Sequence, residues 1–190
     1  MTDQALQAGD ALLIVDVQND FCPGGALPVP EGDTVVPVLN TWIEMSREAG
    51  VPVIASRDWH PVSHVSFREQ GGPWPVHCVQ DTEGARYHPD LDLPPDTVRV
   101  SKGTAFDRDA YSAFDGTGLE GYLRDRGIRR LWIGGLAADV CVLATVKDAC
   151  AKGFETHVLV DAIRAVEPDK VGDVLQTMDE QGAILERKEH

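Results

Sequence analysis

Short apolar runs, many of them β-branched, alternate along the chain with stretches in which apolar residues recur at helical spacing. Several runs are apolar at successive positions, as strands are when both faces of their sheet are covered. The alternation predicts a three-layer α/β fold, with a mostly parallel six-stranded sheet between two layers of helices. The predicted strands are 11–17, 51–56, 97–101, 130–134, 155–160 and 183–186, and the predicted helices are 35–49, 118–126, 139–152 and 168–180.

One interval interrupts this alternation. Residues 57–95 show no clear periodicity and contain four of the six histidines, two tryptophans and six prolines. Long irregular segments of compact domains are often functional, and open α/β sheets bind ligands beyond the carboxyl ends of their strands. Asp16, Asp58, Lys102 and the segment 134–141 each lie at or just past such an end. We therefore expect these parts of the chain to meet at one site.

Composition and charge narrow the class of protein. The 190 residues suit a single domain, 1–190. With 17 basic and 31 acidic residues the net charge is −14, which argues against nucleic acid and anionic membranes as partners. Residues 1–10 lack the layout of a signal peptide, the apolar run 11–15 is too short to span a bilayer, and no cysteines form a C-x-x-C pair. We therefore expect a cytoplasmic protein with free thiols.

Cys141 is the candidate nucleophile. It follows a predicted strand and a turn, so its sulfur is expected in the first helical turn, where N–H groups and the helix dipole favour a thiolate and can hold an oxyanion. The alternative is a small buried apolar residue, the usual role of a free cysteine. Position favours the nucleophile for Cys141 and the buried role for Cys150, whereas Cys22 and Cys78 stay undecided.

Two charged residues are candidate partners of this thiol. Asp16 follows a run of apolar residues, where a buried carboxylate without a partner would be costly. A general base and a loop-capping residue are equally supported at that position. Lys102 alone is typical of a solvated lysine, but beside Cys141 and Asp16 its ammonium group would stabilise a thiolate and hold the carboxylate near the proton.

The irregular segment contains a candidate metal site. Asp58, His60 and His64 are closely spaced, and His77 follows in the same segment. Two imidazoles and a carboxylate would leave coordination positions open, as in catalytic metal sites. Loop histidines more often cap turns, but their clustering with an acid favours a metal site.

Four large aromatic residues, Phe21, Trp74, Phe106 and Tyr111, lie in predicted loops. Such residues either close a small core beneath the long loop or stack on a flat aromatic ligand. The sequence does not separate these alternatives.

Together these segments resemble the nicotinamidase branch of the isochorismatase-like cysteine hydrolases, from Ala11 to about Glu186. The resemblance is carried by the stretches 16–21, 24–27, 57–61, 71–79, 102–103, 109–114 and 135–142. It implies the same three-layer α/β fold and a catalytic triad of Asp16, Lys102 and Cys141. It also implies a cis peptide bond at Leu136–Ala137, which turns the N–H groups of Ala137 and Cys141 toward an oxyanion.

The resemblance further implies a divalent metal held by Asp58, His60 and His77, with zinc expected first and iron or manganese as alternatives. It leaves His64 open as an outer or additional ligand. One departure is Ala138, where the family commonly has threonine, so a hydroxyl that supports the loop is missing. This bears on fine positioning more than on the class of reaction.

The activity that the resemblance implies is hydrolysis of nicotinamide to nicotinate and ammonia in NAD salvage, with the substrate ring near Phe21, Trp74 and Tyr111. One alternative is another hydrolase of this fold, acting on a ureido or carbamoyl amide or on isochorismate. Another is a non-catalytic module that binds a metal or ligand. Whether the chains form a homo-oligomer is left open.

Overall fold

A six-stranded parallel sheet forms the centre of the structure, a computed structural model that describes residues 6–188. The strands lie in the order β3-β2-β1-β4-β5-β6, and every pair of neighbours is parallel. The predicted fold class is confirmed, and the sheet is parallel throughout. The strands are β1 Asp10–Val15, β2 Val53–Asp58, β3 Val98–Lys102, β4 Arg130–Leu136, β5 Glu155–Arg164 and β6 Ile184–Glu186.

Helices cover both faces of this sheet, because its central strands are apolar on both sides. Along β1, Leu13 packs with the core beneath three helices, and its neighbours Leu12 and Ile14 pack with the core beneath one helix. The single helix is α1 (Val35–Ala49), and α2 (Leu119–Asp125), α3 (Leu143–Ala151) and α4 (Val171–Glu180) lie on the opposite face.

The ends of several elements differ from the prediction. β1 ends at Val15 rather than at Val17, because Asp16 adopts a left-handed backbone with φ of 49°. β2 continues to Asp58, and β5 continues to Arg164 alongside β4. The apolar pattern places strands well but does not report where the backbone turns out of the sheet.

The helices predicted at 139–152 and 168–180 are both present, but the first turn of each is not α-helical. A π-helical turn, Ala138–Val142, precedes α3, and the carbonyl of Ala137 accepts N–H groups from both Val140 and Val142. A 3₁₀ turn, Pro168–Lys170, precedes α4. π turns are rare and occur often at functional sites.

The long segment between β2 and β3 is irregular, as predicted, apart from the 3₁₀ turns Arg68–Gln70 and Glu83–Ala85. All four cysteines are free thiols. None of the helices in residues 6–188 has the length and apolarity needed to cross a membrane.

Candidate active site

The ends of β1, β2 and β3 and the turn after β4 bring a carboxylate pair, an ammonium group and a thiol into contact. The Nζ atom of Lys102 lies 2.7 Å from Oδ2 of Asp16, 2.5 Å from Oδ1 of Asp58 and 3.5 Å from Sγ of Cys141. All four side chains are buried. The pairing of β2 with β3 places Asp58 directly beside Lys102, and the Ser56 hydroxyl donates to the other oxygen of Asp16 at 2.8 Å. The predicted convergence of these groups is therefore present.

The electrostatic balance of this cluster fixes where its protons reside. Burial alone would lower the pKa of Lys102, but attraction to Asp16, Asp58 and Cys141 raises that pKa well above its usual value. Burial raises the pKa of the Asp16 carboxyl, and the charge of Lys102 opposes this rise. Lys102 therefore remains an ammonium ion, and Asp16 is a stronger proton acceptor than an exposed aspartate.

Burial and helix position have opposite effects on the protonation state of Cys141. Burial raises the pKa of its thiol well above the usual value, and Asp16 and Asp58 add to the rise, while Lys102 alone opposes it. Burial in this site therefore favours the protonated thiol over the thiolate that the helix position favours. A base in contact with it is needed, and Oδ atoms of Asp16 and Asp58 lie within 4.8 Å of Sγ.

The loop before Cys141 is held in an unusual conformation. The Leu136–Ala137 peptide bond is cis, as the resemblance implied. Asp139 then fixes the loop to the end of β5, because its carboxylate accepts the N–H groups of Val166 at 2.9 Å and Glu167 at 3.0 Å.

Asp58, His60 and His77 form a cluster suited to a metal ion. One potential ligand atom from each lies within 4.8 Å of the others, and the Nε2 atoms of both histidines lie 3.9 Å from Oδ2 of Asp58. Nδ1 of His60 is 2.9 Å from the carbonyl of His77, and Nδ1 of His77 is 2.7 Å from the carbonyl of Pro75. Since a carbonyl accepts only from a protonated nitrogen, each Nε2 keeps a lone pair for a metal.

The state of His60 agrees with this interpretation. Its Nε2 is a buried polar atom without a hydrogen-bond partner, and such atoms are costly unless something binds them. Burial lowers the pKa of His60 to about 4, so the imidazole is neutral at pH 7, as a metal ligand must be. The side chains present therefore fit a divalent ion.

His64 lies outside this three-residue cluster. Its ring stacks on His60 with centroids 4.3 Å apart. Both ring nitrogens already have partners, Nδ1 with the Ser66 hydroxyl at 2.7 Å and Nε2 with the carbonyl of Arg108 at 3.0 Å. His64 thus packs behind His60, and one of its ring nitrogens also lies within 4.8 Å of potential ligand atoms of His60 and Asp109. Its role as an outer or additional ligand stays a prediction.

A pocket opens onto the Cys141 thiol and onto Asp58 and His77 of the candidate metal site. Trp74 and Tyr111 form one wall together, because the indole N–H donates to the phenol oxygen at 3.1 Å. Phe21 packs edge-on against His77. Phe106, by contrast, is 65% exposed and does not line the pocket. The lining residues are Phe21, Leu27, Val29, Asp58, Trp74, His77, Asp109, Tyr111, Ala137, Val140, Cys141 and Val166.

Two supporting residues were not found from the sequence. The buried side chain of Gln18 holds the backbone of Asp58, donating to its carbonyl at 2.8 Å and accepting its N–H at 2.9 Å. Asp20 accepts the N–H of Cys78 at 2.8 Å, directly after His77. The available signal was the run of polar residues after β1, 18–20, at the end of a buried strand.

The parallel sheet, and the groups gathered at its carboxyl edge, define a protein of the α/β class whose site is equipped for nucleophilic chemistry. Residues 10–189 match the model of the isochorismatase domain. The chain belongs to the isochorismatase family.

The alignments with several relatives and solved structures cover most of the chain. The sequence is 42% identical to the nicotinamidase of Escherichia coli (strain K12), over 92% of this chain and 93% of that protein. The structure is similar to the pyrazinamidase of Pyrococcus horikoshii in complex with zinc, with a TM-score of 0.92, 47% identity, and coverage of 95% of this chain and 99% of that one. It is also similar to PnC1 of L. infantum in complex with nicotinate, with a TM-score of 0.91, 34% identity, and coverage of 98% and 96%.

Proposed function

We propose that this protein is a nicotinamidase, which hydrolyses nicotinamide to nicotinate and ammonia through a thioester on Cys141. The observation that carries the proposal is the position of the Lys102 ammonium group, which contacts Asp16, Asp58 and the sulfur of Cys141 at once. Through this contact the thiol is connected to a base, Asp16, and to Asp58 of the candidate metal site. The nicotinamidase and the nicotinate-bound structure among the relatives support the same substrate.

The reaction begins with proton transfer. Asp16 takes the proton of the Cys141 thiol as the sulfur adds to the carboxamide carbon, and the N–H groups of Ala137 and Cys141 receive the oxyanion. Lys102 keeps its charge throughout and stabilises the negative charge that passes between Asp16 and the sulfur.

The same carboxyl group then completes the cycle. Asp16 gives its proton to the departing nitrogen, so that ammonia leaves and the acyl group remains on Cys141. It next takes a proton from water, which adds to the thioester and releases nicotinate. The sulfur recovers its proton from Asp16, and the site returns to its starting state.

Asp58, His60 and His77 would hold a divalent metal, with zinc as the first candidate because a zinc-bound pyrazinamidase is among the similar structures. When bound, the metal supplies a Lewis acid that orients and polarises the pyridine ring. The protein itself places that ring between Phe21 and Trp74, two aromatic side chains of the pocket, with the carboxamide toward Cys141.

The biological setting belongs to the same proposal. A nicotinamidase supplies nicotinate for NAD salvage, and we expect it to act in the cytoplasm, where its free cysteines stay reduced. Its substrate partner is nicotinamide, and no nucleic acid or membrane is required.

An ammonia-release assay on Cys141→Ala tests the proposal. The variant should keep its fold and its metal and release no ammonia from nicotinamide, while Cys150→Ala, a matched change in α3, should keep its activity. Normal turnover by Cys141→Ala would refute the mechanism. If the wild-type protein does not hydrolyse nicotinamide but hydrolyses a carbamoyl amide, it is another hydrolase of the family.

A further inference from the structure

A second cleft, outside the active site, is lined by three arginines. Arg57 comes from β2, Arg99 from β3, and Arg86 from the irregular segment. Trp59 and Tyr87 form its aromatic walls. We call this feature the arginine cleft. Asp81 and Thr82 complete its lining.

The fold explains why the three guanidinium groups converge. The parallel register pairs Ala55 with Arg99 and Arg57 with Ser101, so these side chains share one face of the sheet. β3 is one of the two edge strands, and the irregular segment supplies the other side chains that line the cleft on this part of the face. Tyr87 secures that segment by donating its hydroxyl hydrogen to the carbonyl of Ala55 at 3.1 Å.

The three guanidinium groups of the cleft outnumber Asp81, the one carboxylate that lines it within the described part of the chain. Arg57 donates to the Ser101 hydroxyl at 2.9 Å and lies 3.8 Å above the Trp59 ring, and Arg99 has only a weak contact at 3.4 Å with the carbonyl of Thr97. Neither forms an ion pair with any carboxylate in residues 6–188. Arg86 pairs with Glu83, but both side chains are at least 70% exposed, so this pair is readily exchanged.

This concentration of positive charge stands out in a chain with a net charge of −14. Guanidinium groups offer parallel N–H donors that match the oxygens of a phosphate. Three of them facing one cleft repel one another, and a dianion between them would remove that repulsion. A polyanion such as nucleic acid is disfavoured, because the rest of the surface would repel it.

We propose that the arginine cleft binds the phosphate group of a small molecule. Arg86 and Arg99 supply exposed guanidinium groups for the phosphate oxygens, and Arg57 supplies a third, held in place by Ser101 and Trp59. The Tyr87 ring lines the cleft beside the proposed phosphate position, where it can pack against an organic portion of the ligand. The site is separate from the pocket that contains Cys141.

Calorimetric titration with inorganic phosphate, on the metal-loaded protein at constant ionic strength, tests this proposal. Wild-type protein should bind phosphate saturably, and Arg86→Gln/Arg99→Gln should raise the Kd by about tenfold or more, because it removes charge-assisted hydrogen bonds. This double variant leaves Arg57 untouched beside Asp58. Any phosphate that binds at the metal would be retained by the variant and so is distinguished from binding in the cleft.

Arg126→Gln is the matched control, because Arg126 is an exposed arginine, as Arg86 and Arg99 are, but lies outside the arginine cleft. Its Kd for phosphate should equal that of the wild type. The proposal is overturned if wild-type protein shows no saturable binding, if the double variant binds as tightly as wild type, or if Arg126→Gln weakens binding equally. Nicotinamide hydrolysis by the double variant is measured in parallel. Failure of the phosphate site is thereby distinguished from failure of the proposed nicotinamidase activity.

Discussion

Lys102 is the residue on which the other charged groups of the site depend. It is buried together with two carboxylates, and its ammonium group is the only lysine or arginine cation in contact with them among residues 6–188. Without it, two like charges would face each other in a low-dielectric interior. The same group holds Asp16 within reach of Cys141, so stability and catalysis depend on one side chain.

Lys102→Met keeps the length of the side chain and removes the charge. We expect kcat to fall by about 10²–10³ through lost electrostatic stabilisation, and the free energy of unfolding to fall by about 3–5 kcal/mol because buried carboxylates lose their partner. Steady-state ammonia release and urea denaturation measure the two effects. Lys147→Met, on the exposed side of α3, is the control, and near-normal kcat in Lys102→Met would contradict the assigned role.

For individual residues, the sequence predicted which side chains lie together but not which of them carry a proton. The positions of Asp16, Lys102 and Cys141 at predicted strand or helix ends were enough to place them together. Their protonation depends on burial, which a sequence does not report, and burial raises the pKa of the Cys141 thiol where the helix position alone favours a thiolate. The role of Gln18 was missed for a similar reason, since its partners lie far away in the chain.

Among the elements, β4 and the turn that follows it determine the position of the nucleophile. Gly135 lies against β1 with φ of 130°, and a Cβ atom there would lie 2.1 Å from the carbonyl oxygen of Val15. The pairing of β4 with β5 also shifts register between Ile133 and Gly135. The chain thus leaves the sheet at the point where the cis bond and the π turn begin.

Gly135→Ala should therefore destabilise the protein and displace the loop that contains Cys141. We expect the free energy of unfolding to fall by about 3 kcal/mol or more, since the methyl group meets backbone atoms that cannot move aside. Gly121→Ala in α2, where a Cβ atom meets nothing within 4 Å, should be neutral or stabilising by up to about 1 kcal/mol. Equal urea midpoints for the two variants would show that β4 can move away from Val15 at little cost, which would contradict this prediction.

Sequence patterns located the six strands and the four α-helices of residues 6–188, because burial on both faces of a parallel sheet leaves continuous apolar runs. The element ends were less well predicted. The left-handed Asp16 and the π turn before α3 lie at the carboxyl edge of the sheet, and the apolar pattern does not report them. These deviations from regular geometry occur where the proposed catalytic residues lie.

Across the whole molecule, the proposed metal connects the long irregular segment to the sheet. Asp58 belongs to β2, and His60 and His77 lie in the segment that follows. An ion bound by all three stabilises the folded state by mass action, since the unfolded chain does not present the same site. The sequence predicted this segment as functional from its histidines and its lack of periodicity.

Removal of the metal by a chelator should lower the Tm, and added zinc should restore it. At a metal concentration of 100 times Kd, the stabilisation is about 2.7 kcal/mol. His60→Ala should bind less metal, and its Tm should respond little to chelator. His88→Ala, a change in the same segment outside the cluster, is the control. Equal metal content in purified His60→Ala and wild type would remove His60 from the ligand set.

The central claim is that the sulfur of Cys141 forms a thioester with the acyl group of nicotinamide. Rapid acid quenching during turnover, followed by mass spectrometry of the digested protein, tests it directly. The account predicts one nicotinoyl adduct, on the peptide that contains Cys141 and not on those with Cys22, Cys78 or Cys150. An adduct on another cysteine, or hydrolysis of nicotinamide with no adduct under conditions that trap it, would contradict the account.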